Sequence, residues 1–181
     1  AGFKGTILEA RNFFREKGFL EAVCELLREK LGSMEEKPRI IFTAHGLPVK
    51  LALKDNYNDQ VRETAKLICK ELSIILSLTN PSANGWQEAI LAFQGKVGIM
   101  KWLRPSVTEV IEEWSAAGCR SVLLVPISFV SEHSETLHEM DIVYRELAEQ
   151  YGMKYSRVPT AGSHPLFIRC LADVTKRILC G

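Results

Sequence analysis

An α/β fold is predicted, a four-stranded parallel sheet flanked by helices on both faces, and two observations predict it. Short apolar, β-branched runs alternate with longer segments of helical spacing, and those runs are apolar throughout rather than at every second position. Continuous apolar strands belong to sheets covered on both sides, and strand–helix–strand alternation produces right-handed parallel crossovers. The 181 residues amount to roughly one domain at ~150 residues each, so residues 1–181 are expected to form a single α/β domain.

The first helix runs from Phe19 to Leu31, carried by Leu20, Val23, Leu26, Leu27 and Leu31 at helical spacing and stopped by Gly32. Arg39 to Thr43 follows Pro38 and contains Ile40-Ile41-Phe42, a buried strand that releases Ala44 to Pro48 as a loop. Helical spacing returns from Asp59 to Leu76, and Asn80 to Gly85 reads as a loop before the strand Ala89 to Phe93. A helix opened by Pro105 reaches Ala117, with Gly118 as its cap, and leads into the strand Ser121 to Ile127. Leu137, Met140, Ile142 and Leu147 predict a helix over Glu132 to Gln150; Lys154 to Val158 is the fourth strand, and Ser163-His164-Pro165 opens a closing helix to Ile178.

Composition removes several function classes. Hydrophobic residues are 46% and charged residues 25%, which excludes a disordered chain, a collagen-like repeat and a coiled coil. The 23 Lys+Arg against 22 Asp+Glu leave +1, too little for the basic field of a nucleic-acid binder. The longest apolar stretches, Leu72–Leu78 and Ser121–Val130, fall short of the ~20 residues of a spanning helix. Ala1-Gly2-Phe3-Lys4 has neither a leader pattern nor an initiating Met and reads as a chain already trimmed. The five cysteines, Cys24, Cys69, Cys119, Cys170 and Cys180, form no C-x-x-C pair, so neither a disulfide framework nor a structural zinc site is expected, and a reducing cytoplasm fits.

In an open parallel sheet, ligands bind beyond the carboxyl ends of the strands. Three such loops are distinctive here: Thr43 to Pro48, Gln94 to Leu103 and Ser128 to Glu135. They bring two histidines and two carboxylates to one rim. His45, at a strand end with Gly46 and Pro48 beyond it, can accept a proton or ligate a borderline metal, or can be a hydrogen-bonded loop histidine. Glu135 and Glu139 are four apart and stack on one helical face just after His133. Such a pair either holds a cation or lies on a solvated helix surface. Trp102, Leu103, Met100 and Ile99 supply an apolar, partly aromatic wall suited to a flat hydrophobic ligand, or alternatively plain core. The residues by themselves suggest metal handling beside a planar apolar substrate and do not name the reaction.

The loops also carry a resemblance. Phe42-Thr43-Ala44-His45-Gly46-Leu47-Pro48 resembles the F-S-A-H-G/S-L-P signature of the ferrochelatases. The segment Phe93 to Pro105 is similar to the family's Y-Q-S-[RK]-V-G-P-x-x-W-[LI]-x-P, and Val125 to Asp141 to its V-P-I-x-F-x-S-[DE]-H-x-E-T-L-x-E-L-D. Three long motifs in order, with weaker similarity from Gly18 to Phe167, mark the carboxyl-terminal half of the family's usual chain.

The resemblance implies a lyase that inserts ferrous iron into a porphyrin, protoporphyrin IX or coproporphyrin, in the terminal part of heme biosynthesis, without an organic cofactor. His45 matches the family's catalytic histidine and Glu135 the carboxylate facing it across the macrocycle. His45, Glu135 and Glu139 are then the expected metal contacts, with Val143 at a third position that is acidic in many members. Lys96, Met100, Trp102 and His133 are the expected substrate contacts. Thr43, Asn56, Gly95 and Ile99 depart from the family pattern. Only Cys170 and Cys180 lie near the carboxyl end, so an iron–sulfur cluster is not expected. A second cleft wall is expected from an amino-terminal half or a second subunit, and the expected location is the cytoplasm, with peripheral contact at a membrane surface left open. Two alternatives stand beside this reading: a short homodimeric chelatase for another tetrapyrrole or metal, and a tetrapyrrole- or metal-binding module without turnover.

Overall fold

A computed structural model describes residues 2, 4–10, 12–77, 89–95 and 98–180. The strand runs pair as the sequence predicts. β1 (Arg39–His45) occupies the centre, with β3 (Ala89–Gln94) on one side and β4 (Ser121–Pro126) on the other, all parallel. β5 (Lys154–Arg157) lies outside β4, and β2 (Leu76–Ser77) outside β3, so the order is β2-β3-β1-β4-β5. The four predicted strands are present, and β2 is a two-residue addition at the edge.

Successive strand residues point to opposite faces, and both faces are covered. Ile40, Phe42, Leu91 and Val125 pack under α1 (Lys17–Gly32), α3 (Tyr57–Leu72) and α6 (Pro165–Cys180). Ile41, Ile90, Val122 and Leu124 pack under α4 (Val107–Ala116), a π-helix (Glu135–Val143) and α5 (Tyr144–Gln150). That double coverage is why the strands read as continuous apolar runs. None of the described helices is long and apolar enough to cross a membrane.

Three boundaries differ from the sequence reading. The helix expected to reach Leu76 ends at Leu72, because Ser73 adopts a left-handed conformation with φ of 54° that turns the chain into β2. A short helix α2 (Val49–Ala52) follows the first loop. The helix expected over Glu132 to Gln150 begins at Glu135 and is π-helical before it becomes α-helical, which nine residues of apolar periodicity do not reveal. The loop expected at Asn80 to Gly85 lies outside the described residues.

α4 starts on a complete capping box. The Ser106 hydroxyl accepts from the Glu109 amide at 3.3 Å, and the Glu109 carboxylate accepts from the Ser106 amide at 2.9 Å. Replacing Ser106 by alanine is expected to cost about 1 kcal/mol, seen as a lower urea midpoint at unchanged slope. An unmoved midpoint would mean that the box contributes nothing here.

Candidate functional site

β1 delivers His45 as its last residue, in register with Gln94 at the end of β3. Two side chains hold the His45 backbone in place. Its amide donates to Ser128 Oγ at 3.0 Å, and the Tyr57 hydroxyl donates to its carbonyl at 2.9 Å. The imidazole is therefore presented by a satisfied, sheet-anchored backbone rather than by a free loop.

His45 Nδ1 lies 3.0 Å from Glu135 Oε2, the two side chains being 38% and 34% exposed. The pair expected to face each other across a macrocycle is therefore in direct contact here, too close for a ring to lie between the two groups. Gly95 makes the approach sterically feasible. Its φ is +79°, and a Cβ added there would meet His45 Cε1 at 2.8 Å and Nδ1 at 2.9 Å. The ring thus fills the space a side chain would take, at a position where the family signature carries serine. Gly46 is similarly close-packed, its amide donating to the Gln94 carbonyl at 2.7 Å.

The second carboxylate is held differently. Three donors converge on Glu139 Oε2: Gln94 Nε2 at 3.2 Å, the Gly95 amide at 3.1 Å and the Tyr144 hydroxyl at 3.2 Å. Burial, reinforced by the charge of Glu139, pushes the Tyr144 phenol well above its ordinary range, so Tyr144 remains a donor to that oxygen at any working pH. The wide turns of the π-helix put Tyr144 next after Glu139 along the row. Val143, expected third from the sequence, is instead 42% exposed.

His133 sits beside the pair but is turned to the backbone. Its Nδ1 accepts from the Glu135 amide at 3.2 Å, which leaves its proton on Nε2. Phe129 lies between the two histidine rings, 4.8 Å from that of His133 and 6.4 Å from that of His45, centroid to centroid. Thr136 completes this corner, accepting from the His133 amide and donating to its carbonyl.

A largely apolar cleft of ≈ 530 Å³ opens next to the pair, walled by Trp102, Met100, Phe93, Val49 and Leu103 and floored by Gly46 and Gln94, with Lys101 and the Arg104–Glu109 ion pair also in its lining. A bridge between Pro48 and Trp102 zips the first loop to the second and fixes that wall. His45 and Glu135 stand beside the cleft rather than in its lining. Ile99 and Met100, expected in the wall, project outward at 105% and 57% exposure, so of the two only Met100 reaches the cleft. Lys96 lies outside the described residues. Gln94, Gly95, Ser128, Tyr57 and Tyr144 were not singled out by their chemistry in the sequence. For Gln94 a signal existed: a lone amide closing an otherwise apolar strand.

The arrangement offers an imidazole backed by one carboxylate, a second carboxylate oriented by three donors, and an apolar slot alongside. Among the described residues, no three His, Cys, Asp or Glu side chains are grouped closely enough to hold a metal ion as they stand. A family model described as ferrochelatase matches residues 4–179. The chain belongs to the ferrochelatase family.

Ferrochelatases of Synechococcus elongatus and Trichodesmium erythraeum are 36% and 39% identical to it, each over 93% of this chain and 42% of their own length. That of Prochlorococcus marinus is 38% identical over 94% of this chain and 43% of its own length. The chain therefore spans less than half the length of these curated relatives. A solved structure described as a putative cobalamin (vitamin B12) biosynthesis CbiX protein from Marinobacter aquaeolei is also similar, at 16% identity and a TM-score of 0.46, over 77% of this chain and 95% of its own.

Proposed function

We propose that this chain is the carboxyl-terminal half of a metal-inserting ferrochelatase, a lyase that places ferrous iron in a porphyrin, with His45 and Glu135 at the centre of the chemistry. The observation that carries the reading is the 3.0 Å contact between His45 Nδ1 and Glu135 Oε2 beside an apolar cleft at the carboxyl ends of the strands. Insertion releases two pyrrole N–H protons while a divalent ion enters, so the site needs a base and oxygen or nitrogen ligands on one face of the ring.

With Nδ1–H directed at Glu135, the lone pair of His45 is on Nε2, the atom that takes a pyrrole proton. The imidazolium so formed is stabilised by the adjacent carboxylate, as in other histidine–carboxylate pairs. Glu139 has all three of its donors on Oε2, which leaves Oε1 as the oxygen that would meet an incoming cation. Trp102 and Met100 are proposed to contact the macrocycle, with Lys96 and His133 at its edge.

No organic cofactor and no iron–sulfur cluster enter this reading. Cys170 is buried where α6 crosses α1, close enough to Gly18 that a Cβ there would stand 2.9 Å from its own. Burial pushes the Cys24 thiol up to about 11, in keeping with a core-filling role.

A flat macrocycle needs a second wall to exclude water. The exposed Leu51, Leu53, Ile99 and Met100 form the apolar lip on which that wall would rest, supplied by the rest of a longer chain or by a second subunit. The lip is also the surface on which contact with a membrane would fall. Metal insertion should be assayed with ferrous and zinc ions and several porphyrins over a wide dilution series of the 181-residue chain, with and without the upstream half. Activity that appears only with the upstream half is the expected result. Activity linear in this chain at high dilution would overturn the need for a second wall, and a square-law dependence would favour a homodimer.

A further inference from the structure

The π-helix is fastened from behind by β5. Tyr155 and Arg157 are two apart, in register with Val122 and Leu124 of β4, and so lie on the sheet face that the π-helix covers. The Tyr155 hydroxyl donates to the Met140 carbonyl. Arg157 makes a two-pronged bond to Asp141, Nε to Oδ1 and a terminal nitrogen to Oδ2, each at 2.7 Å. Its other terminal nitrogen donates to Glu132 at 2.9 Å, and that carboxylate oxygen also accepts from the Thr160 amide at 2.9 Å.

These anchor points bracket the carboxylates of the site. Glu132 is three residues before Glu135, and Met140 and Asp141 immediately follow Glu139. The Arg157 side chain is only 13% exposed, so the fork to Asp141 is shielded from water and resists being pulled out of line. A π-helix is a poorer hydrogen-bonding arrangement than an α-helix and persists where the surroundings hold it. Here those surroundings are one carbonyl and two carboxylates gripped by two side chains of a single strand.

We propose that Tyr155 and Arg157 are positioning residues that hold the π-helical register of Glu135–Val143, and thereby set how Glu135 and Glu139 meet a divalent ion. The proposal rests on the metal-inserting function proposed above. It assigns β5 to the ion's half of the reaction and leaves the macrocycle wall to the Gly46 and Trp102 loops that follow β1 and β3.

The test uses the intact protein with Tyr155→Phe, which removes one donor and keeps the ring, and Arg157→Lys, which keeps the charge and loses the fork. Orienting partners of metal-binding side chains typically change metal affinity by about 10-fold or more when altered. Each variant is expected to raise the KM for ferrous iron about 10-fold with the porphyrin KM nearly unchanged, and to speed amide exchange in residues 135–145 but not in β3 or β4. Equal effects on both KM values, exchange accelerated throughout the sheet, or no change in either measurement would each overturn it. Zinc affinity, titrated calorimetrically without porphyrin, reads the same carboxylates when no turnover occurs. A failed metal-insertion reading therefore remains distinguishable from a failed clamp.

Discussion

Replacing His45 by alanine is expected to lower the proposed metal insertion by about a hundred- to ten-thousand-fold, the span that a positioned proton acceptor supplies, while leaving the fold intact. The fold survives because the anchoring bonds of this residue, Ser128 to its amide and Tyr57 to its carbonyl, use the backbone and not the ring. The imidazole itself is 38% exposed, so its loss leaves a notch open to water at the rim rather than a sealed cavity in the core. A urea midpoint within about 0.5 kcal/mol of the parent, together with collapsed turnover, is the expected pair of results. Because part of the proposed role of Glu135 runs through its contact with His45, the double change with Glu135→Ala should cost less than the two single changes multiplied together. Near-normal turnover in the His45→Ala protein would remove the histidine from the mechanism.

Phe42→Ala gives the largest expected loss of stability, about 3–5 kcal/mol against a typical total of about 5–15 kcal/mol. Phe42 is fully buried in the central strand, with Leu91 and Val125 as neighbours in register on either side. Its side chain packs in the cluster that holds α1, α3 and α6 to the sheet. A cavity there cannot be closed by a shift of one helix without disturbing the other two. Chemical denaturation read by circular dichroism checks it, and a loss below about 1 kcal/mol would mean that this core relaxes far more freely than its packing suggests.

Much of the architecture was legible because the strands are local features. Ile40-Ile41-Phe42 and Val122 to Val125 are apolar at every position, and only a sheet buried on both faces makes such runs stable. The edge strand β2 was not legible. Two residues leave no period to read, and Leu76 also completed the apolar pattern of the preceding helix until Ser73 turned it aside. The π-helix escaped for a similar reason, since Leu137, Met140 and Ile142 fit either kind of turn. Its consequence was larger: in the wider turn Tyr144, rather than Val143, follows Glu139, and its hydroxyl orients that carboxylate.

The sequence by itself determined the alternation of strands and helices, the three loops that end at one rim, the family, and the presence of His45, Glu135 and Glu139 on that rim. All of these follow from residue order, which local propensity and motif spacing carry directly. Only the tertiary structure decided that His45 and Glu135, 90 residues apart, stand 3.0 Å from each other, and that Gly95 leaves the room for them to do so. It alone decided that Gln94, Gly95 and Tyr144 share one oxygen of Glu139, and that β5 grips the π-helix from behind. Such contacts depend on the joint register of β1, β3 and β4 and on the turn of a helix packed over them, and a slip of one residue in any of these would move every side chain of that strand to the opposite face.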